Sequence, residues 1–218
     1  MSGVARRAID VFYPIVPDIA WLRRLVPLEI RTVQLRLKDA ASSEIARQIA
    51  GSLEICARHG CELVVNDHWR EALAEGATFI HLGQEDLAAA DLRLIRAKGL
   101  ALGLSSHSPA ELDVALAARP DYIALGPIWE TRLKAMKWAP QGLPRIGEWK
   151  RRMGAVPLVA IAGITLERAP SVLAAGADSV AVITDFMTHP DPELRVTDWL
   201  HWAEGARARP ARVSSNCH

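Results

Sequence analysis

Apolar residues in this chain fall in short runs: Val11–Val16, Thr32–Leu35, Glu62–Val65, Phe79–Leu82, Ala101–Leu104, Tyr122–Leu125, Leu158–Ile161 and Ser179–Ile183. Several are apolar almost throughout rather than alternating, which suits parallel strands covered on both faces. Between them lie helical patterns at Ser42–His59, Asp86–Lys98, Pro109–Ala118 and Leu166–Ala175, and the stretch from Trp69 to Glu75 is also helix-like. Ser108 stands at an N-cap position before Pro109, and Gly99 and Gly176 stand where helices stop. Strand and helix in alternation predict a parallel α/β fold. Eight units at a mean pitch of about 24 residues favour closure into a single-domain (β/α)8 TIM barrel over 1–204. No Gly-rich dinucleotide fingerprint follows the first strand to favour an open doubly wound sheet. After Gly205 the composition turns to Ala, Arg, Pro, Ser and Asn, so 205–218 reads as a disordered tail.

Bulk composition narrows the function. With 218 residues, half of them hydrophobic, the chain can bury one sizeable core, and a net charge of +1 argues against a protein that coats nucleic acid. No run approaches the roughly 20 apolar residues of a membrane span. Asp10 interrupts the apolar run after Arg6-Arg7 and no small-residue cleavage site follows, so a secretory signal is not expected. Cys56, Cys61 and Cys217 make neither an even disulfide framework nor a metal-ligand spacing. These features predict a cytoplasmic protein with structural thiols. Neither nucleic acid nor membrane is expected as a partner, and a homo-oligomer is allowed.

A barrel of this kind should collect its functional groups just after the strands. The residues found there are Asp18; Gln34, Arg36 and Lys38; Asn66 and Asp67; Gln84 and Asp86; Ser105 and His107; Gly126 and Pro127, with Thr131 and Lys134; Gly163; and Thr184. Asp67 and Asp86 each follow a buried strand, nineteen residues apart, and hard oxygen ligands presented on one rim suit Mg²⁺ shared with substrate phosphates. The competing reading is helix N-capping. In a strand, Gln34, Arg36 and Lys38 would share one face, an arrangement fit for a pyrophosphate or for a solvated edge. Gly126–Lys134 opens the longest gap between strands, with Arg132, Lys134, Lys137 and the flexible-looking Ala139–Gly142 beyond. That segment reads as a basic lid or a surface insertion. Gly163 and Thr184 follow strands seven and eight, the common phosphate site of such barrels. His81, inside an apolar run, reads as a hydrogen-bonded core residue. Trp21, Trp149, Trp199 and Trp202 read as helix packing, whereas Trp129 and Trp138 could cover a heterocycle.

Taken in order, Val33-Gln-Leu-Arg-Leu-Lys-Asp39, Val65-Asn-Asp67, His81-Leu-Gly-Gln-Glu-Asp86, Gly126-Pro-Ile128 and Gly176-Ala-Asp178 resemble the thiamine phosphate synthase family, from Tyr13 to about Phe186. The resemblance implies a (β/α)8 barrel that joins hydroxymethylpyrimidine diphosphate to thiazole phosphate with Mg²⁺ assistance. It implies that Gln34, Arg36, Lys38 and Asn66 contact the pyrimidine diphosphate and that Asp67 and Asp86 hold Mg²⁺. Ser105 would bond near the departing pyrophosphate while Thr131 and Lys134 close over it, making Ser105, Lys134, Arg36 and Lys38 the catalytic set. Gly163, Ile183 and Thr184 would cradle the thiazole phosphate. Leu133 stands where the family lid has a hydroxyl. Losing a hydrogen bond to a charged group predicts activity about 10- to 150-fold lower unless Arg132 or Lys137 compensates. Ala162 replaces the first glycine of the phosphate loop, and Pro17 replaces a polar residue. The nearest alternative is a thiazole tautomerase on the same barrel, although Pro127 occupies its usual histidine position. A non-catalytic binder of thiamine precursors is the other.

Overall fold

The structure is a computed structural model, and it describes residues 9–130 and 138–208. Eight strands run in chain order: β1 (Phe12–Val16), β2 (Thr32–Leu35), β3 (Glu62–Asn66), β4 (Phe79–Leu82), β5 (Ala101–Ser106), β6 (Tyr122–Leu125), β7 (Leu158–Ile161) and β8 (Ser179–Val182). Every neighbouring pair is parallel, and β1 closes on β8 with Tyr13 opposite Ala181, so the sheet is a complete barrel. Closure leaves no strand edge unpaired, and the backbone amides of all eight strands are spent in the ladder.

The near-continuous apolar runs are explained by two cores. Outward residues such as Val33, Leu35, Leu63, Val65, Leu102 and Leu104 pack against the helices. Inward ones, among them Tyr13, Val64, Phe79, Tyr122 and Val159, fill the barrel. Gly103 belongs to this interior packing. A Cβ at that position would lie 2.2 Å from the Tyr122 ring, so the glycine is what lets that ring lie flat against β5.

Helices surround the strands: α1 (Ile19–Leu25), α2 (Ser42–His59), α3 (Trp69–Ala74), α4 (Gln84–Ala89), α5 (Leu92–Ala97), α6 (Pro109–Ala117), α7 (Gly142–Met153), α8 (Ala169–Ala174), α9 (Thr184–Met187) and α10 (Pro192–Arg207). A 3₁₀ turn, Val26–Leu28, follows α1. Helix α2 shows why the pattern was readable. Ile45, Ile49, Ser52, Ile55 and Cys56 recur at helical spacing and are its buried stripe. Gly60 ends it at φ 65°, its N–H on the Cys56 carbonyl. Each buried Ile contributes about 1.5–3 kcal/mol to holding the helix on the sheet.

Two expected helices and one expected loop differ from what is observed. The segment Asp86–Lys98 is two helices, because the Asp91 carboxylate accepts from the amides of Arg93 and Leu94 and so starts α5 afresh. The segment from Leu166 begins only at Ala169, since Pro170 has no amide to give a preceding turn. Much of the presumed long basic loop is α7, which buries Ile146, Trp149 and Met153. At the other end α10 continues through Gly205 to Arg207, whose guanidinium pairs with Asp10 at 2.6 Å. Residues 209–218, the rest of the expected tail, lie outside the described residues, as does Cys217. Among the described residues Cys56 and Cys61 are free buried thiols, and no helix is long and apolar enough to cross a membrane.

Candidate active site

The C-terminal ends of β2, β3, β4 and β5 bring most of the expected residues to one mouth. Gln34, on β2, is 3% exposed and faces the barrel interior. The strand ends at Leu35, yet the alternation persists beyond it: Leu37 is buried and Lys38 exposed. Arg36 is half-buried, its amide continuing the ladder to the Val16 carbonyl at 2.8 Å. Lys38 reaches across to Asp67, Nζ to Oδ2 at 3.5 Å. Asn66, the last residue of β3, is 5% exposed.

Asp67 sits at φ 64°, in two successive tight turns. The amide of His68 bonds the Asn66 carbonyl and that of Trp69 bonds the Asp67 carbonyl, both at 2.8 Å. A left-handed non-glycine residue costs about 1–2 kcal/mol. The residue before α3 is His68 and its N-terminus has no side-chain cap, so Asp67 does not cap it. Asp86, in the first turn of α4, is likewise not its cap residue, which is Gly83. Burial pushes the Asp86 carboxyl above its usual range, and the charge of Asp67 within hydrogen-bonding reach pushes the same way, only partly offset by Lys38. Capping therefore does not account for the pair. The two facing carboxylates repel and Lys38 relieves them only in part, so the pair could take a further cation such as a hard divalent ion. No group of three or more His, Cys, Asp or Glu among the described residues could hold a metal. A site for Mg²⁺ on Asp67 and Asp86 would therefore need waters and further oxygens from outside the chain to complete it. A cavity of about 240 Å³ between Asp67, Asp86 and Trp69 leaves room for such waters.

Ser105 stands on β5 in the same mouth. Its Oγ lies 2.9 Å from His81 Nε2, and its carbonyl accepts from Gln84 Nε2 at 2.6 Å. Behind it runs a buried chain of hydrogen bonds. His81 Nδ1 is 2.7 Å from the Tyr122 hydroxyl, that hydroxyl is 3.0 Å from the Tyr13 hydroxyl, and Gln34 Nε2 donates to Tyr13 at 2.8 Å. Burial lowers the His81 pKa to about 4, with Asp67 opposing and Arg36 and His107 assisting, so the ring is neutral near pH 7. Burial likewise raises both tyrosines, which stay protonated. The reading of His81 as a hydrogen-bonded core residue agrees with this placement. Sequence reasoning missed Tyr122 as its partner and Tyr13 as the next link. Their signal was two tyrosines inside apolar runs, each with a hydroxyl that must find a partner when buried.

The loops after β7 and β8 form the opposite side of the mouth. Ala162 and Gly163 are both left-handed, at φ 76° and 68°. A Cβ on Gly163 would meet Trp129 Cβ at 2.6 Å and the Glu130 carbonyl at 2.7 Å, so only glycine fits beneath that crossing segment. Arg168 holds the loop from outside, donating to the Gly163 carbonyl at 2.6 Å while lying over the Trp129 ring. Ile183 and Thr184 lead into α9, whose Asp185 accepts from Arg195 and from Trp199 Nε1, at 2.8 Å each.

Some expected residues do not join the site. Asp18 caps α1, accepting the Trp21 amide at 3.1 Å. Trp138 stacks on His107, with ring centroids 5.9 Å apart, and His107 is tied to Glu111 at 2.8 Å. Thr131, Arg132, Leu133, Lys134 and Lys137 lie outside the described residues.

This geometry can now be set beside known proteins. The family description "Thiamine monophosphate synthase" matches residues 12–186. A thiamine-phosphate synthase of Rhizobium etli is 57% identical over 192 residues, 88% of this chain and 94% of the relative. One from Salmonella choleraesuis is 47% identical over 172 residues, 79% of this chain and 82% of the relative. Among solved structures, the thiamine phosphate pyrophosphorylase of Pyrococcus furiosus superposes with a TM-score of 0.76 at 24% identity, covering 89% of this chain and 95% of that one. A match spanning the whole barrel, with relatives near half-identical over most of its length, places this chain in the thiamine monophosphate synthase family.

Proposed function

We propose that this protein condenses 4-amino-2-methyl-5-hydroxymethylpyrimidine diphosphate with thiazole phosphate, giving thiamine phosphate and pyrophosphate. The observation that carries the reading is the convergence of Asp67, Asp86, Lys38 and Ser105 on one mouth, beside the buried amide Gln34. Gln34 and Asn66 are the polar groups deep enough to orient the pyrimidine, while Arg36 and Lys38 neutralise its diphosphate. Asp67 and Asp86 would hold Mg²⁺, which supplies charge neutralisation of the leaving pyrophosphate. Ser105 donates to an oxygen of the departing group. Thr131 and Lys134 are assigned to its far side from the family resemblance alone. The tight turn at Gly163, with Ile183 and Thr184 across from it, presents backbone amides to the thiazole phosphate.

On this reading no covalent nucleophile is required. The pyrimidine leaves as a stabilised cation and the thiazole nitrogen captures it, so the chain's work is to bind, orient and neutralise. The free thiols of Cys56 and Cys61 suit a reducing compartment such as the cytoplasm. The test is direct: both substrates with the purified protein, with and without Mg²⁺, measuring both products. Stoichiometric Mg²⁺-dependent formation of thiamine phosphate and pyrophosphate is expected; folded protein that makes neither refutes the assignment.

A further inference from the structure

The chain Gln34–Tyr13–Tyr122–His81–Ser105 has a direction, and it can be worked out from proton counting. The amide nitrogen of Gln34 can only donate, so the Tyr13 oxygen accepts. Tyr13 is buried, and its own proton then has one remaining partner among the described residues, the Tyr122 oxygen. An unmade bond there would cost the full desolvation of a hydroxyl. Tyr122 has thereby received one proton and must send its own to His81 Nδ1. A neutral imidazole with Nδ1 accepting carries its hydrogen on Nε2, and that hydrogen points at Ser105 Oγ. Ser105 Oγ is left with its own proton to give, and its carbonyl is already taken by Gln84. The hydroxyl therefore faces the mouth as a donor.

From this geometry we infer that Gln34 sets the proton direction of a buried relay and that His81 is a positioning residue holding Ser105 as a hydrogen-bond donor to the substrate. The inference deepens the role given to Ser105 above and rests on that reading for its catalytic part. The chemistry is complementary: a departing phosphate oxygen carries no proton and can only accept. Reversing the relay would make Ser105 donate inward to His81 and offer lone pairs to an anion. On the proposed assignment the relay would also join the two ends of the pyrimidine diphosphate, with Gln34 toward the ring and Ser105 toward the leaving group.

The tautomer of His81 reads the relay without any substrate. In ¹⁵N-histidine-labelled protein at neutral pH, long-range ¹⁵N–¹H correlation should show His81 with a protonated Nε2 and an unprotonated, hydrogen-bonded Nδ1; H81Q assigns the signals. A ring protonated at Nδ1 overturns the proposal. Gln34→Leu removes the donor that fixes the direction, so a mixed population of tautomers is expected there. An unchanged pure Nε2–H ring would remove Gln34 from the argument. In kinetics, H81A should lower kcat about ten- to a hundredfold with little change in KM. H81Q, whose amide N–H replaces that of Nε2, should stay within a few-fold of the parent. Equal losses in H81Q and H81A, or none in H81A, overturn the positioning role. Should the wild-type protein form neither product, the reaction assignment fails while the tautomer result stands on its own.

Discussion

Replacing Asp86 by Asn should make the metal-free protein more stable while removing its response to Mg²⁺. Burial and the neighbouring Asp67 both raise the Asp86 pKa, and Lys38 and a backbone hydrogen bond relieve it only in part. Because the folded state holds the Asp86 proton more tightly than the unfolded chain does, ionising it costs stability. That cost is absent below the ordinary carboxylate range and grows as pH rises through the raised value. Two like charges in contact on a partly exposed rim, screened by solvent, amount to about 1 kcal/mol. Against this stands the favourable end of α4, worth about 0.3–1 kcal/mol for a full charge in the first turn. The repulsion and burial together outweigh it, as the upward direction of the shift requires. In EDTA at pH 7, D86N should therefore melt about 2–4 °C above the parent, and the gap should close on acidification. Mg²⁺ at a hundred times its dissociation constant should then add about 2.7 kcal/mol to the parent and nothing to D86N. A variant that melts lower than the parent in EDTA would show Asp86 to be a helix stabiliser, and the paired-carboxylate argument would be wrong.

Other substitutions probe the frame around the site. Gly103→Ala drives a Cβ into the Tyr122 ring and should cost about 1–3 kcal/mol in urea unfolding while displacing the hydroxyl from His81. Gly163→Ala combines that kind of overlap with a left-handed backbone, for about 2–4 kcal/mol, and should raise the KM for thiazole phosphate more than that for the diphosphate. Arg207→Ala leaves Asp10 unpaired where its side chain is only 9% exposed; a loss of about 1–3 kcal/mol is expected, with kcat unchanged.

How much of this could be read beforehand depended on whether the signal was local. Strand positions were legible because a barrel strand is covered on both faces and so reads as an apolar run, and the rim residues followed from where those runs stop. Asp67 and Asp86 were legible as a pair for the same reason. Asp91 was not, because a lone Asp within a helical pattern gives no sign whether it caps a new helix or faces solvent. Helix α7 was hidden by Gly142 and Pro144 at its start and by a basic face that resembled a loop. The hydrogen-bond chain lay beyond reach for a different reason: Tyr13 and Tyr122 are 109 residues apart, and only closure of the barrel brings their hydroxyls together. His81 could be seen to need partners, but not which.

Helix α10, the last helix of the described chain, fastens the start of β1 and helix α1 to itself. Its Trp199 stacks on Phe12 of β1 at 5.1 Å, its Glu193 holds Arg24 of α1, and its last residue, Arg207, grips Asp10 just ahead of β1. Pulled apart from residues 9 and 208, the molecule would take the load first at Arg207–Asp10. The helix would then peel away contact by contact, like tape lifted from one end, before the parallel β1–β8 ladder bore any shear. The barrel has no free edge, but it has a seam, and under tension α10 is the flap that opens it.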